Sequence, residues 1–203
     1  MFTWRIIKRN ATRDLLQIHL KTASDNLLVL VLNHWPSRSG GTFESEPYRI
    51  MVAENLAYWT ERIYEERGKD TSIILMGDFN DNPYDRSIDN YLMGVRNKQE
   101  VLNARNHKYH NLMYNFLGQG IGTYVYGSEQ GVIDQFLVSK AIASNSPIYP
   151  FKVDSVDILA YPEMVKGDYK KPIRFGRPSS ASSFDLDGFS DHLPIELILK
   201  EKT

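Results

Sequence analysis

Asp78 and Asn80 are two polar residues at the end of an apolar run, residues 73–76. An apolar run that ends in turn residues is typical of a buried strand leaving the core. Because side chains two residues apart on a strand share a face, the carboxylate and the carboxamide are expected to lie side by side. Such a pair at a rigid strand end could form a reaction centre. The alternative is a polar strand end that closes in an Asx turn at Asn82-Pro83.

Three further predicted strands carry polar groups at an end or inside the strand: Asn33-His34, Asp134 and Asp191-His192. Asp134 interrupts the apolar segment 132–138, where an unpaired buried carboxylate would be costly. It therefore needs a partner, for which a histidine is a natural choice. The other histidines, which are expected at the surface or as satisfied core groups, are His19, His107 and His110.

The elements that must position these residues predict an α/β fold. Residues 15–20 and 27–32 predict a hairpin of two strands, of which the second is apolar enough to be covered on both faces. Residues 45–67 have apolar side chains at helical spacing after a capping candidate, Ser45. A strand, a long helix and the strand 73–76 form a crossover, which favours parallel neighbours.

The remaining chain predicts loops and short strands. An edge strand is expected over residues 151–158 and a closing strand over residues 195–199. Three glycines resemble a glycine-rich phosphate loop: Gly118, Gly120 and Gly122. No helical pattern follows them, so we interpret this segment as a surface loop.

The composition fits a single domain spanning residues 1–203. Of the 203 residues, 42% are hydrophobic and 24% are charged, as in ordinary globular domains. The formal net charge of −1 gives no global basic field that would draw the chain to nucleic acid or membranes, although a local basic surface is compatible with it. The absence of cysteine excludes disulfides, cysteine nucleophiles and thiolate metal sites.

Four motifs resemble, in this order, those of the endonuclease/exonuclease/phosphatase superfamily: Asn33-His34-Trp35-Pro36-Ser37, Gly77-Asp78-Phe79-Asn80, Ile133-Asp134 and Ser190-Asp191-His192-Leu193-Pro194. The resemblance covers residues 14–200. It implies an α/β fold in which two packed sheets form a β-sandwich flanked by helices, the four-layer arrangement of deoxyribonuclease-like proteins. It also implies cleavage of phosphate esters with a divalent metal, usually magnesium. The segment 34–41 most resembles the nuclease-like branch.

The resemblance assigns catalytic roles to five residues: His34, Asp78, Asn80, Asp134 and His192. His192 would act as the general base or bind the scissile phosphate, and Asp134 would hold its tautomer through a hydrogen bond. Asp78 would orient or deprotonate the attacking water, and Asn80 would hold the water and the phosphoryl oxygens. His34 would donate to the phosphate or the leaving group. In-line attack on phosphate needs such an oriented water and donors to the non-bridging oxygens.

The resemblance also implies contacts to phosphate and to a metal. Asn33, Ser37 and Arg38 would bind or support a substrate phosphate, although a solvated loop is an equal alternative for Ser37 and Arg38. Asp191 would lie in or beside the ligand shell of magnesium or manganese, since hard oxygen ligands suit these cations.

The superfamily pattern is expected to lack its N-terminal part here. Complete members carry an Asn on the first strand and then a Glu, the main metal ligand, before the His-containing motif. The acids that precede His34 in this chain are Asp14 and Asp25. The resemblance therefore predicts an incomplete domain with weak magnesium affinity. It also predicts an exposed apolar face at residues 27–32 that supports self-association.

Three functions are open at this point. The first is a metal-dependent phosphodiesterase, most directly a nuclease acting on nucleic acid, for which Trp35 and Tyr84 could stack on bases. The second is a phosphomonoesterase or a phospholipase of the same superfamily. The third is a non-catalytic fragment that binds phosphate or a partner weakly. Stable membrane insertion is not expected, because the longest apolar run is far too short to span a bilayer.

Overall fold

The computed structural model describes residues 1–4, 12–175 and 186–202 of the chain. Within these ranges the α-helices are α1 (Thr42–Arg67), α2 (Lys98–Asn103) and α3 (Lys140–Ala143). A π-helix spans Ser87–Tyr91, and two 3-10 helices span Leu112–Phe116 and Pro162–Met164. The strands are β1 (Phe2–Trp4), β2 (Leu15–Lys21), β3 (Leu27–His34), β4 (Ser72–Asp78), β5 (Gly94–Val95), β6 (Tyr109–Asn111), β7 (Tyr124–Tyr126), β8 (Glu129–Gly131), β9 (Asp134–Val138), β10 (Phe151–Ile158), β11 (Val165–Lys166), β12 (Lys171–Pro172) and β13 (Ile195–Glu201).

The main sheet contains, among the described residues, seven strands in the order β1-β2-β3-β4-β9-β6-β5. Strands β2 and β3 form the predicted antiparallel hairpin, with Leu16 opposite Leu32. Strands β3 and β4 are parallel, with His34 opposite Asp78, and α1 makes the crossover between them. Both predictions are therefore confirmed. Since parallel strands run in the same direction, the crossover brings the ends of β3 and β4 to one edge of the sheet.

Helix α1 covers one face of the main sheet. Val29 and Val31 of β3, and Ile73 and Leu75 of β4, are fully buried in the core that this helix closes. They alternate along their strands, as expected for residues that share a face. No helix in the described ranges combines the length and the apolar character needed to cross a lipid bilayer.

Helix α1 begins at Thr42, earlier than the capping candidate Ser45 predicts. The hydroxyl of Ser45 donates to the carbonyl oxygen of Gly41 over 2.5 Å, inside the first turn. A serine can satisfy backbone groups of its own turn in this way as well as cap a helix. The presence of a serine at position 45 therefore did not identify the first residue of α1.

The second sheet, formed by β10 and β13, packs on the other face of the main sheet. This arrangement confirms the expected α/β fold with packed sheets and helices. The two strands cover only part of that face, however. Leu28, Leu30 and Leu32 of β3 are only partly buried, whereas Val29 and Val31 on the α1 face are fully buried. Complete cover of β3 is thus found on one face only.

Strand β9 begins at Asp134, so this residue opens a strand and does not interrupt one as the sequence predicts. Just before this strand, side-chain oxygens accept hydrogen bonds from the backbone N–H groups. The N–H of Val132 donates to Oδ1 of Asn82 over 2.9 Å, and the N–H groups of Ile133 and Asp134 each donate to Oγ1 of Thr123 over 3.1 Å. These side-chain bonds replace the ladder at this point and leave Asp134 at the rim of the sheet.

Candidate active site

The ends of three adjacent strands place three of the predicted site residues in a row. Strand β3 ends at His34, β4 ends at Asp78 and β9 begins at Asp134. In the ladder His34 lies opposite Asp78, and Asp78 lies opposite Asp134. Directly opposite residues in neighbouring strands project on the same face. One imidazole and two carboxylates therefore stand side by side at this edge of the sheet, and we refer to them as the strand-end row.

His192 joins the strand-end row from the segment before β13. Its Nδ1 lies 2.8 Å from Oδ2 of Asp134. Its backbone forms an antiparallel bridge with Tyr124, whose ring centroid lies 4.9 Å from that of the imidazole. The imidazole is thus held between a carboxylate and an aromatic ring. Asp134 has the histidine partner that a partly buried carboxylate requires.

Asp78 and Asn80 fix each other's orientation. The backbone N–H of Asn80 donates to Oδ1 of Asp78 over 2.8 Å, and its Nδ2 donates to Oδ2 over 3.0 Å. The same Nδ2 also donates to the carbonyl oxygen of Trp35 over 2.9 Å. Asn80 has a φ of 53°, a left-handed conformation that asparagine adopts more readily than most residues. This Asx bond aims the carboxylate of the strand-end row. The Asx turn considered as the alternative lies further on, at Asn82-Pro83, where Oδ1 of Asn82 accepts from the N–H of Val132.

Gly77 allows β4 to approach β3 closely. Its φ is 124°, and a Cβ at this position would lie 2.1 Å from the carbonyl oxygen of Asn33. Asn33 is itself buried, where its Oδ1 accepts from the indole N–H of Trp35 over 2.9 Å and its Nδ2 donates to the carbonyl oxygen of Val31 over 2.9 Å. These bonds hold the end of β3 in place. A direct contact between Asn33 and phosphate stays a prediction.

Replacing Gly77 by Ala is expected to lower the free energy of unfolding by about 2–4 kcal/mol, since backbone must move to relieve the contact. Urea denaturation measures this change. Gly127→Ala is the matched control, because Gly127 has a φ of 62° but nothing within 4 Å of an added Cβ. Its cost should be limited to the backbone conformation, about 1 kcal/mol. Equal losses in the two variants would contradict the role of the close approach.

Burial and neighbouring charge set the protonation states in the site. Burial, reinforced by the negative charge of Asp134, raises the pKa of Asp78 to about 6. Burial alone would lower the pKa of His192, but its hydrogen bond to Asp134 and the nearby carboxylate charges outweigh it and raise that pKa. Burial, together with positive charges nearby, lowers the pKa of His34. Asp78 is thus ionised at neutral pH, while the shifts favour the charged form of His192 and the uncharged form of His34.

These states suit hydrolysis at phosphorus. Nε2 of His34 lies 3.4 Å from Oδ2 of Asp78, and the His34 side chain is 46% exposed, so the row is open to solvent. A carboxylate whose pKa lies near neutrality can orient or deprotonate water. A charged imidazole and a neutral one can donate to the oxygens of a phosphate.

Comparison with known protein families identifies the family to which this chain belongs. Residues 5–201 match the Endonuclease/Exonuclease/phosphatase family. The chain belongs to this family. Its members are hydrolytic phosphoesterases, which agrees with the chemistry that the strand-end row allows. No curated protein matches the sequence.

Solved structures of this family share the fold. The mannosyl-6-phosphatase of Bacteroides thetaiotaomicron is 19% identical with a TM-score of 0.54, and the match covers 93% of this chain and 57% of that chain. The catalytic domain of human Nocturnin with bound sulfate is 17% identical with a TM-score of 0.52, over 93% and 53% of the two chains. A humanized TDP2 from D. rerio is 16% identical with a TM-score of 0.53, over 92% and 60%. This chain spans little more than half the length of these structures.

Enzymes of this family typically use divalent metals, and three side chains of the site could hold such an ion. Ligand atoms of Asp78, Asp134 and His192 lie within 4.8 Å of one another. Two carboxylates placed directly opposite each other repel, so a cation between them would offset a cost already built into the sheet. Asp191 is not in this group, since its Oδ2 lies 3.1 Å from the guanidinium of Arg174. Its place in a metal shell stays a prediction.

Arg38 joins the loop after β3 to the loop after β4. Its Nε donates to the carbonyl oxygen of Asn80 over 2.6 Å, and its terminal nitrogen pairs with Asp81 at 2.9 Å and with Asp85. The guanidinium therefore braces the segment that carries the site. Ser37 is exposed in the same loop and bonds to a neighbouring serine. Phosphate contacts of Arg38 and Ser37 stay predictions, and those of Arg38 would compete with these carboxylates.

Arg13 is a residue of the site that sequence reasoning did not identify. Leu16 lies opposite Leu32, and continuing this antiparallel register places Arg13 opposite Trp35, one residue beyond His34 at the end of β3. Its positive charge adds to burial in lowering the pKa of His34, and it opposes the burial that raises the pKa of Asp78. The side chain is exposed. The signal that could have found it is the hairpin register, which pairs the residues before β2 with those at the end of β3.

The two aromatic residues considered for base stacking differ in exposure. Trp35 is fully buried, with its ring centroid 4.9 Å from that of Phe79, so it cannot stack on a base. Tyr84 is 59% exposed in the loop after β4. Trp35 is part of the hydrophobic core, and of the two residues only Tyr84 is accessible to a substrate.

Proposed function

We propose that this chain is a metal-dependent phosphodiester hydrolase that acts on nucleic acid. The observation that carries the proposal is the strand-end row of His34, Asp78 and Asp134, completed by His192. Family membership supports a phosphoesterase. The choice of nucleic acid is supported by the nuclease-like segment 34–41 and by two exposed groups that suit it, the cation Arg13 and the ring of Tyr84.

In this proposal each polar group of the site has a defined task. Asp78 accepts the proton of the attacking water, and Asn80 keeps the carboxylate aimed at it. His192, kept charged by Asp134, donates to a non-bridging oxygen of the phosphate, and His34 donates to the phosphate or the leaving group. A divalent cation, magnesium or manganese, held by the carboxylates of Asp78 and Asp134, would neutralise charge that develops on the phosphate.

The test is cleavage of plasmid DNA and of a chromogenic bis-ester with magnesium or manganese. We expect cation-dependent cleavage that falls by at least about 100-fold in Asp78→Ala and in His192→Ala. His107→Ala is the matched control, because His107 lies outside the site, stacked on Tyr64. Cleavage that is unchanged in both site variants would point to contamination and remove the assignment.

The same assay separates the other candidates. A phosphomonoesterase is favoured by the fold shared with a mannosyl-6-phosphatase, and it would cleave a chromogenic monoester faster than the bis-ester. A phospholipase would release a phosphorylated headgroup from vesicles and leave DNA intact. A folded chain that cleaves none of these substrates would be a non-catalytic phosphate binder, and the proposed activity would be wrong.

Arg13→Gln is expected to raise KM for the bis-ester about 10-fold while kcat changes less, since the residue supplies a charged donor to the phosphate. Loss of the positive charge also allows the pKa of Asp78 to rise further, so the acid limb of the pH–rate profile should move to higher pH. Arg13→Lys should restore the limb and part of the affinity. Arg62→Gln is the control on the surface of α1. An unchanged KM together with an unchanged acid limb would exclude Arg13 from the site.

A further inference from the structure

A cavity of about 340 Å³ lies at the edge of the main sheet opposite the strand-end row. Three segments of the chain meet there: the one that enters β4, the one that leaves β9 and the one that enters β6. Because β9 is antiparallel to both β4 and β6, these three strand ends share one edge of the sheet. The seven residues of β4 separate this edge from Asp78 by about 20 Å, so the cavity is distinct from the candidate active site.

The walls of this cavity are strongly basic for a chain whose formal net charge is −1. Four cationic side chains line it against one carboxylate, that of Asp70. The four cations are Lys69, Arg105, Lys108 and Lys140, and we refer to this site as the basic cavity. A concave surface lined by one sign of charge focuses the electric field and raises the local concentration of ions of the opposite sign. The basic cavity is therefore a place where anions collect.

The acidic groups beside the basic cavity are already engaged. Oδ1 of Asp70 accepts a hydrogen bond from the hydroxyl of Tyr149 over 2.8 Å, and Glu100 forms an ion pair with Lys108 at 3.2 Å. Within the part of the chain that the structure describes, the other three cations of the cavity have no carboxylate at ion-pair distance. Their charges are thus available to a ligand.

His107 forms a wall of the basic cavity and is itself held by other groups. Its ring stacks on that of Tyr64, with centroids 3.6 Å apart, and its Nε2 lies 3.7 Å from a carboxylate oxygen of Glu61. Burial lowers the pKa of the imidazole, and the nearby charges of Lys69 and Lys140 add to this effect against the charge of Glu61. Both lysines therefore lie close to the same wall, although they come from different segments.

Three cations that approach from three segments suit a phosphate monoester. This group is tetrahedral, offers three acceptor oxygens and carries a charge of about −1.5 to −2 at pH 7. A carboxylate offers only two oxygens in one plane, and each phosphate of a nucleic acid backbone carries a single charge. Arg105 suits such a ligand in particular, because a guanidinium can donate to two phosphate oxygens at once. The volume of the cavity lies within the range of small-molecule sites, about 300–1,000 Å³.

We propose that the basic cavity binds a small molecule that carries a phosphate monoester, through Lys69, Arg105 and Lys140. The ligand is separate from the substrate, since the cavity and the strand-end row lie at opposite edges of the sheet. Binding at the cavity does not depend on the phosphodiester hydrolysis proposed above. The two proposals can therefore fail independently of each other.

The test is isothermal titration of the full chain with AMP as the probe, in the presence of a chelator so that no cation supports cleavage. We expect one AMP to bind per chain in the micromolar range. Cyclic AMP has the same base and sugar but holds its phosphate as a singly charged diester, so it should bind at least about 10-fold more weakly. Adenosine, which lacks the phosphate, should give no measurable heat. Inorganic phosphate at millimolar concentration should displace AMP.

Charge reversals locate the binding in the basic cavity. Arg105→Glu and Lys140→Glu should each weaken AMP binding by at least about 10-fold, and Lys140→Arg, which keeps the charge, should stay within about 3-fold of the wild type. These residues are exposed, and thermal unfolding of each variant verifies that the fold is intact. Lys170→Glu is the matched control, because it reverses an exposed lysine in the turn between β11 and β12, outside the cavity. It should bind AMP as the wild type does.

His192→Ala separates the basic cavity from the strand-end row. This variant should keep the affinity for AMP, and a loss of affinity there would place AMP in the row and overturn the proposal. Equal affinities for AMP and cyclic AMP, binding that survives both charge reversals, or tighter binding of a single-stranded oligonucleotide than of AMP would also overturn it. A chain that cleaves the bis-ester but does not bind AMP would refute the cavity proposal alone.

Discussion

Replacing Asp78 by Asn is expected to abolish hydrolysis and, at the same time, to stabilise the metal-free fold. The surroundings of this carboxylate raise its pKa, which makes it a better proton acceptor but lowers the free energy of unfolding. It is largely buried, it lies opposite Asp134 in the ladder, and its pKa is raised to about 6. Asparagine keeps the shape and removes the charge. Without this carboxylate the attacking water loses the proton acceptor that Asn80 keeps aimed at it, so kcat should fall by at least about 1,000-fold.

The stability gain depends on pH in a defined direction. The pKa of Asp78 is about 6 in the folded chain against an ordinary value of 3.8, so ionisation of this group disfavours the folded state. The penalty is fully present above pH 6 and disappears below about pH 3.8, where the carboxyl is protonated in both states. Two pKa units correspond to about 3 kcal/mol, of which part is offset by a weaker bond to the backbone N–H of Asn80. We expect Asp78→Asn to gain about 1–3 kcal/mol at pH 7 and almost nothing at pH 3.

Urea denaturation at both pH values, with a chelator present, measures this gain. The chelator is needed because a bound cation would remove the penalty. Asp168→Asn serves as the control, since Asp168 is an exposed aspartate outside the site. Destabilisation of Asp78→Asn at pH 7, or a gain that does not depend on pH, would show that the strand-end row does not store this electrostatic strain.

The sequence predicted those parts of the fold and the site that depend on local pattern. The alternation in β2, the apolar run in β3 and the helical spacing in α1 are properties of short windows, and each appeared as predicted. The same windows end in the residues that form the row, because polar side chains at strand ends mark where a sheet opens to solvent. The resemblance of the four motifs to a known family then supplied the pairing of Asp134 with His192.

What the sequence could not predict depends on partners far apart in the chain. Arg38 forms ion pairs with Asp81 and Asp85, and Trp35 is buried. Both features depend on contact between the loop after β3 and the loop after β4, which meet only once the crossover has formed. Arg13 lies among ordinary charged residues, and nothing local distinguishes it until the hairpin register is known. The start of α1 was missed because Ser45 can bond within a turn as well as cap it.

Asp134→Asn is expected to reduce kcat by about 100- to 10,000-fold while leaving the fold intact, as for other histidines that lose a carboxylate partner. Asp134 does two things to His192. It accepts a hydrogen bond at Nδ1 over 2.8 Å, which fixes the tautomer, and its charge helps to raise the pKa of the imidazole against burial. Asparagine cannot supply the charge, so the pKa of His192 should fall. In the pH–rate profile the limb that reports charged His192 should therefore move to lower pH.

A double-mutant cycle shows whether Asp134 acts through His192. If it does, Asp134→Asn should cost little in a His192→Ala background, and the double variant should be about as slow as His192→Ala alone. The cycle compares the rates at which the wild type, the two single variants and the double variant cleave the chromogenic bis-ester. Additive losses would mean that Asp134 acts independently of the histidine, for instance as a carboxylate that binds a cation. In that case the loss in Asp134→Asn should shrink as the cation concentration is raised, which separates the two roles of the same side chain.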